Sequence, residues 1–179
     1  MVRTRDRNIE ASVAALTEPA RSTEGTTVMR VSDVLRTKKK AKQALTSTVA
    51  TVSPRTPIPE AARELRALNI GALVVAGEQG TVAGIITERD IVDAVVDHAG
   101  DLTGLTVADL MTTQVTCCRP DDDATAVMTA MSDHRMRHMP VVETGQIVGL
   151  ISVGDVVKQR LSEIEAEARA LHEYMFSGR

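Results

Sequence analysis

At 179 residues the chain is long enough for one ordinary domain or for two small ones sharing a core. Its 43% hydrophobic content is almost wholly aliphatic, with no Trp and a single Tyr and Phe (Tyr174, Phe176) near the C-terminus; that suits buried strands under helices and disfavours the aromatic platforms of single-strand nucleic-acid binders. A net charge of −3 gives no general attraction to DNA or anionic membranes, and no apolar run nears the roughly 20 residues of a membrane span. Neither nucleic acid nor membrane is an expected partner, and the expected location is the cytoplasm.

Residues 1–28 are rich in Thr, Arg, Ser and Glu and read as a mobile tail, with Ile9, Val13 and Leu16 able to form a short helix. Arg3, Arg5 and Arg7 are followed by no apolar run, so the start is not a secretory signal. A short helix is expected at 31–36, and the basic run Lys38, Lys39, Lys40 and Lys42 behind it reads as a solvated face, with a place near a phosphate tail as the alternative. A strand near 49–52 leads through Pro54 into a helix at 58–68. There Ile58, Ala61, Ala62, Leu65 and Leu68 recur at helical spacing, and Pro59 sits harmlessly in the first turn. Strands at Ala72–Ala76 and Val82–Thr87 flank the turn Gly77-Glu-Gln-Gly80, the pattern of a hairpin, and a helix at 88–98 follows.

The same order then recurs. A short helix at 106–111 precedes a strand at 115–118, a turn at Pro120 and a helix at 123–133 headed by Asp121, Asp122 and Asp123 as caps and dipole partners. Strands at His138–Val142 and Ile147–Ser152 flank Thr144-Gly145, and a helix runs over 153–175. The repetition is visible residue by residue. Val49-Ala-Thr-Val-Ser-Pro54 matches Val115-Thr-Cys-Cys-Arg-Pro120 at an offset of 66, and Gly84-Ile-Ile-Thr-Glu-Arg-Asp90 matches Gly149-Leu-Ile-Ser-Val-Gly-Asp155 at 65. Upstream, Val31-Ser-Asp-Val-Leu35 resembles Val107-Ala-Asp-Leu-Met111, with ten more residues following it in the first copy. One copy alone would expose apolar faces that two copies can bury against each other.

Thr87 ends a strand, and Asp90 falls in the first turn of the next helix, on a neighbouring position. Two uses fit that spacing. The pair can be a plain capping box with no ligand. It can also form a site in which the carboxylate accepts hydrogen bonds from a vicinal diol such as a ribose, beside a helix N-terminus that favours an anion. Ser152 and Asp155 repeat the arrangement.

The two G-h-h-[ST]-x-x-D segments, each behind a matching strand-helix-strand, together with Arg137-His-Met-Pro-Val-Val142, resemble the tandem CBS (cystathionine-β-synthase) domain pair over about residues 31 to 160. The resemblance implies an α/β (α+β) fold of two pseudo-symmetric β-α-β-β-α repeats, at 29–99 and 105–160. Residues 161–179 then form a C-terminal helical extension. It further implies an adenine nucleotide (AMP, ADP or ATP) or an adenosyl compound as regulatory ligand. By position, the first site would use Thr51, Ile70, Gly71, Ala72, Thr87 and Asp90. The second would use Cys117, Met136, Arg137, His138, Pro140, Ser152 and Asp155, and Arg89, inside the first Thr-x-x-Asp, is placed to reach across to either phosphate. Arg137 and His138 can make charge-assisted bonds to phosphate where Gly71 and Ala72 offer only backbone, so the second site is expected to be the better one for a phosphorylated ligand.

Val157, Leu161, Ile164, Ala168, Leu171 and Met175 make a heptad stripe that outruns the repeat and reads as a homodimer contact. Cys117 and Cys118 read as reduced thiols in a strand, and His134 and His138 lack a third partner for a metal. There is no nucleophile-base constellation and no Rossmann or P-loop fingerprint. The expected function is therefore regulatory and not enzymatic: nucleotide or metabolite sensing, read out through a partner protein or the dimer. The alternative is a ligand-free interaction or dimerisation scaffold.

Overall fold

The structure, a computed structural model, describes residues 14–15, 28–41 and 49–176, with backbone alone at 14–15 and 39–41. The Ile9, Val13 and Leu16 helix and the side chains of Lys39, Lys40 and Lys42 lie outside the described residues. Within the segment read as a tail, β1 (Ala14–Ala15) pairs in parallel with β5 (Thr116–Cys117).

The first copy contains β2 (Thr51–Val52), α2 (Ile58–Leu68), β3 (Ala72–Ala76), β4 (Val82–Thr87) and α3 (Glu88–Asp97). The second contains β5, α5 (Ala124–Asp133), β6 (His138–Glu143), β7 (Gln146–Ser152) and α6 (Val153–Phe176). Each copy is led by its own short helix, α1 (Val31–Ala41) and α4 (Val107–Leu110). The hairpins keep one register: Ala72 faces Thr87 and His138 faces Ser152, Val75 faces Gly84 and Val141 faces Gly149. A register shift follows Val75 and Val141 alike. In the second hairpin Thr144 and Gly145 both have positive φ, the two-residue turn whose twist matches paired strands.

The cores explain why two copies are needed. Leu73, Val75 and Ile86 pack under Ile58, Ala61 and Leu65, while Met139, Val141 and Ile151 pack under Ala124, Val127 and Met131. A third cluster lies between the sheets and joins Val74 and Ile85 of the first copy to Val115 and Cys117 of the second, with Leu150 and Val142 against it. Helices therefore cover the outer faces of two sheets that meet back to back.

The lead-in helices are exchanged between the halves. Val31 and Val34 of α1 complete the second core, and Val31 N and Ser32 N donate to Asp122 O and Pro120 O. Val107 and Met111 complete the first core, and Val107 N and Ala108 N donate to Thr56 O and Pro54 O. Thr112, just after α4, exchanges two backbone hydrogen bonds with Ile85 on the outer edge of β4. The sequence repeat and the packed half are thus different sets of residues: each half takes its first helix from the other copy.

Candidate functional site

The two Thr/Ser-x-x-Asp segments fold alike. Asp90 Oδ2 accepts from Thr87 N at 2.7 Å and Thr87 Oγ1 at 2.6 Å; Asp155 Oδ2 accepts from Ser152 N at 2.9 Å and Ser152 Oγ at 2.6 Å. Both are capping boxes that satisfy helix N–H groups. The next N–H of each helix binds the residue before the central strand: Glu88 N donates to Gly71 O, and Val153 N donates to Arg137 O, both at 3.2 Å. Those bonds hold residues 71 and 137 beside the helix start.

The halves differ in what they place there. A cavity of about 540 Å³ opens at the second site, lined by Met136, Arg137, His138, Ser152, Val153 and Gly154, by Arg135 and the end of α5, and by Arg89 from the first copy. Of the residues carried over for the second site, Met136, Arg137, His138 and Ser152 meet on this cavity, and Arg89 lines it with them. Asp155 stands behind Ser152, while Cys117 and Pro140 are buried and are not among the lining residues. Arg135 was not anticipated. It ends α5 in the left-handed conformation (φ 54°), at the position equivalent to Asn69 (φ 50°), which ends α2. The match of Arg135 with Asn69 at the repeat offset was the available signal.

At the first site Thr87 and Asp90 are paired as expected, Ile70 packs on the first core, Ala72 is buried and Thr51 is exposed. A side chain at residue 71 would meet His138 Cε1 at 3.1 Å and Glu88 Oε2 at 3.4 Å. His138 of one copy therefore occupies the room that Gly71 of the other leaves.

Electrostatics separates the sites further. Lys38, expected on a solvated face, instead reaches from α1 into the second half. Its ammonium donates to Asp155 Oδ2 at 2.7 Å and to Leu150 O at 2.9 Å, and its side chain is only 29% exposed. Burial opposes ionisation of Asp155, but the Lys38 and Ser152 hydrogen bonds hold its carboxyl below the usual carboxylate value. Burial pushes the His138 imidazole below its usual value; Lys38 and Arg137 push the same way against Asp155 and Glu88. That direction favours the neutral imidazole, which offers a hydrogen bond where the sequence suggested a charge. Burial raises the thiols of Cys117 and Cys118 to about 11 and about 12, so neither is a thiolate at neutral pH. Among the described residues no group of three or more His, Cys, Asp or Glu is placed to hold a metal, and no helix is long and apolar enough to cross a membrane.

Two back-to-back β-α-β-β-α halves with a repeated Thr/Ser-x-x-Asp box at their junction define a CBS pair. The CBS domain family model matches residues 41–97 and 107–162, and the chain belongs to that family, whose pairs are generally regulatory. It is 34% identical to the mitochondrial CBS domain-containing protein CBSX3 of Arabidopsis thaliana, over 90% of this chain and 80% of that one. Among solved structures it resembles the CBS-domain protein ATU1752 of Agrobacterium tumefaciens at 40% identity and a TM-score of 0.66, covering 74% of this chain and 99% of that one. It also resembles the CBS domain pair of protein MJ0100, solved with 5′-methylthioadenosine and S-adenosyl-L-methionine, at 25% identity and a TM-score of 0.63. That match covers 76% of this chain and 99% of that one.

Proposed function

We propose that the chain is a regulatory adenine-nucleotide sensor whose second site takes a phosphorylated ligand. The observation that carries this reading is the 540 Å³ cavity in which Arg89, Arg135 and Arg137 converge beside the Ser152–Asp155 box. Three guanidinium groups around one cavity suit phosphate oxygens, and the box suits a ribose. Adenosyl ligands in the related MJ0100 pair support the nucleoside part. In this reading Met136, His138 and Pro140 flank the base and Cys117 backs it. The first site, with Thr51, Ile70, Gly71, Ala72, Thr87 and Asp90, holds a ribose and base, while its own copy's Arg89 lines the second cavity.

Binding at the seam between halves acts on function by favouring one arrangement of the halves or of the dimer, which a partner protein reads. The test is calorimetric titration with AMP, ADP, ATP, NADH and S-adenosylmethionine. Saturable binding of a phosphorylated adenine compound is expected, weakened at least tenfold in the Arg89→Ala/Arg137→Ala double variant. No binding across the panel would leave the scaffold reading in its place.

That second reading draws on a specific feature. All six stripe residues of α6 are exposed, Leu161 at 56% and Leu171 at 65%, and α3 exposes Val92, Val95 and Val96 at the equivalent end of the first half. A homodimer burying both helices fits either function. Leu161→Glu with Leu171→Glu should convert it to monomer in sedimentation velocity, and an unchanged sedimentation coefficient would reject that interface.

A further inference from the structure

The two capping boxes are identical in design, yet only the second carries a lysine. The difference originates in the lead-in helices. After α4 the chain turns extended, and Thr112 N satisfies the outer-edge carbonyl of β4, Ile85 O, at 2.9 Å. The equivalent carbonyl of β7 is Leu150 O, by the shared register of the hairpins. Helix α1 does not end at the matching point. It runs on to residue 41. Lys38, one turn beyond the Leu35 that packs on Gly149, donates to Leu150 O and spends a second proton on Asp155 Oδ2.

The result is that Asp155 Oδ2 accepts three hydrogen bonds, from Ser152 N, Ser152 Oγ and Lys38 Nζ. Among the described residues, Asp90 Oδ2 accepts two, both from Thr87. The three bonds at Asp155 show that this oxygen takes a third donor beside its two cap bonds, and at the second site Lys38 holds that third position. The two Ser152 bonds belong to the helix cap and are local. The Lys38 bond spans 117 residues and depends on the position of α1. It is the one that can yield.

We propose that Lys38 is a built-in competitor for the diol at the second site. A ribose hydroxyl reaches Oδ2 of Asp155 only by displacing the Lys38 ammonium, and ligand binding there is coupled through this one side chain to helix α1. This rests on the nucleotide reading above and adds to it a residue that sets affinity and ribose selectivity. Among the described residues the first site has no such competitor, so the third position on Asp90 Oδ2 is open to a diol without displacement.

The test compares ATP with 2′,3′-dideoxy-ATP by calorimetry on the full chain carrying Asp90→Asn, so that diol recognition is measured at the second site only. Lys38→Met should raise the ATP to dideoxy-ATP affinity ratio about tenfold, the worth of one charge-assisted hydrogen bond. Taking the ratio cancels any general loss of positive charge near the phosphates. Lys38→Gln, which keeps a donor for Leu150 O, guards against a folding defect and should move the ratio the same way. An unchanged or lower ratio in both variants overturns the proposal while ATP binding itself stands. Failure of ATP to bind any variant, the unsubstituted chain included, overturns the nucleotide reading and this proposal together. In the unsubstituted chain, the acetylation rate of Lys38 read by mass spectrometry should rise on saturation with ATP; a fall would mean that the lysine joins the ligand rather than giving way to it.

Discussion

Alanine at Gly84 and at Gly149 adds the same methyl group at the same point of the repeat, and the exchanged helices make the two outcomes differ. At Gly84 the new Cβ would stand 2.8 Å from Thr112 O and 3.0 Å from Met111 Sδ. At Gly149 it would stand 2.6 and 2.8 Å from the two methyls of Leu35. Ordinary carbon contacts lie near 3.5 to 4.0 Å, so both overlap by well over half an ångström. Thr112 O is backbone held in a two-bond bridge to Ile85; relief there means breaking that bridge or shifting α4. Leu35 is a flexible side chain that can change rotamer. Overpacking costs about 1–3 kcal/mol, less a few tenths for the stiffer unfolded chain. We place Gly84→Ala at about 2–3 kcal/mol and Gly149→Ala at about 1 kcal/mol.

Urea unfolding followed by circular dichroism measures both. With a slope of about 2 kcal/mol per molar, the first should lower the midpoint by about 1 M and the second by about half that. Leu35→Ala should open room for the new methyl, so that Gly149→Ala with Leu35→Ala costs about 1 kcal/mol less than the sum of the single changes. Strict additivity within about 0.5 kcal/mol would refute the contact between α1 and β7, and with it the exchange of the lead-in helices.

The Lys38–Asp155 pair gives a pH signature. The Asp155 carboxyl titrates below its unfolded value in the native state, so its contribution is fully present above that unfolded value, about 3.9, and is lost as pH falls through the native one. Asp155→Asn should flatten the dependence of stability on pH below about pH 5 and leave the slope near neutrality unchanged; identical acid slopes in urea midpoints taken from pH 3 to 7 would reject the shift.

Much of this architecture could be read before any coordinates, because the chain states it twice. A hairpin in one copy checked the hairpin in the other, and the shared offset carried Thr87 and Asp90 onto Ser152 and Asp155. The cavity-lining Met136, Arg137, His138 and Ser152 came from the family resemblance, carried over by position. Three features escaped, each for a physical reason. The exchange of α1 and α4 leaves no trace in pattern, since Val31-Ser-Asp-Val-Leu35 can cover either sheet with the same apolar face. Lys38 looked like part of a solvated run because charge density along a sequence carries no information about which side chain meets a carboxylate 117 residues away. His138 looked like a phosphate cation because desolvation is a property of the packed seam, and the residue opposite, Gly71, is what lets the ring sink into it.

The crossed helices also bear on how such a chain could have arisen. A lone ancestral copy, with its lead-in helix facing away from its own sheet, would have had an open core and a helix without a home. Two molecules lending each other that helix would have closed both cores at once. Fusion of the two genes would then have turned a reciprocal loan between molecules into a covalent one, after which the copies no longer had to match. Only in the fused chain can one helix be lengthened and its twin kept short, and only there can a single lysine watch over one of two otherwise equal carboxylates.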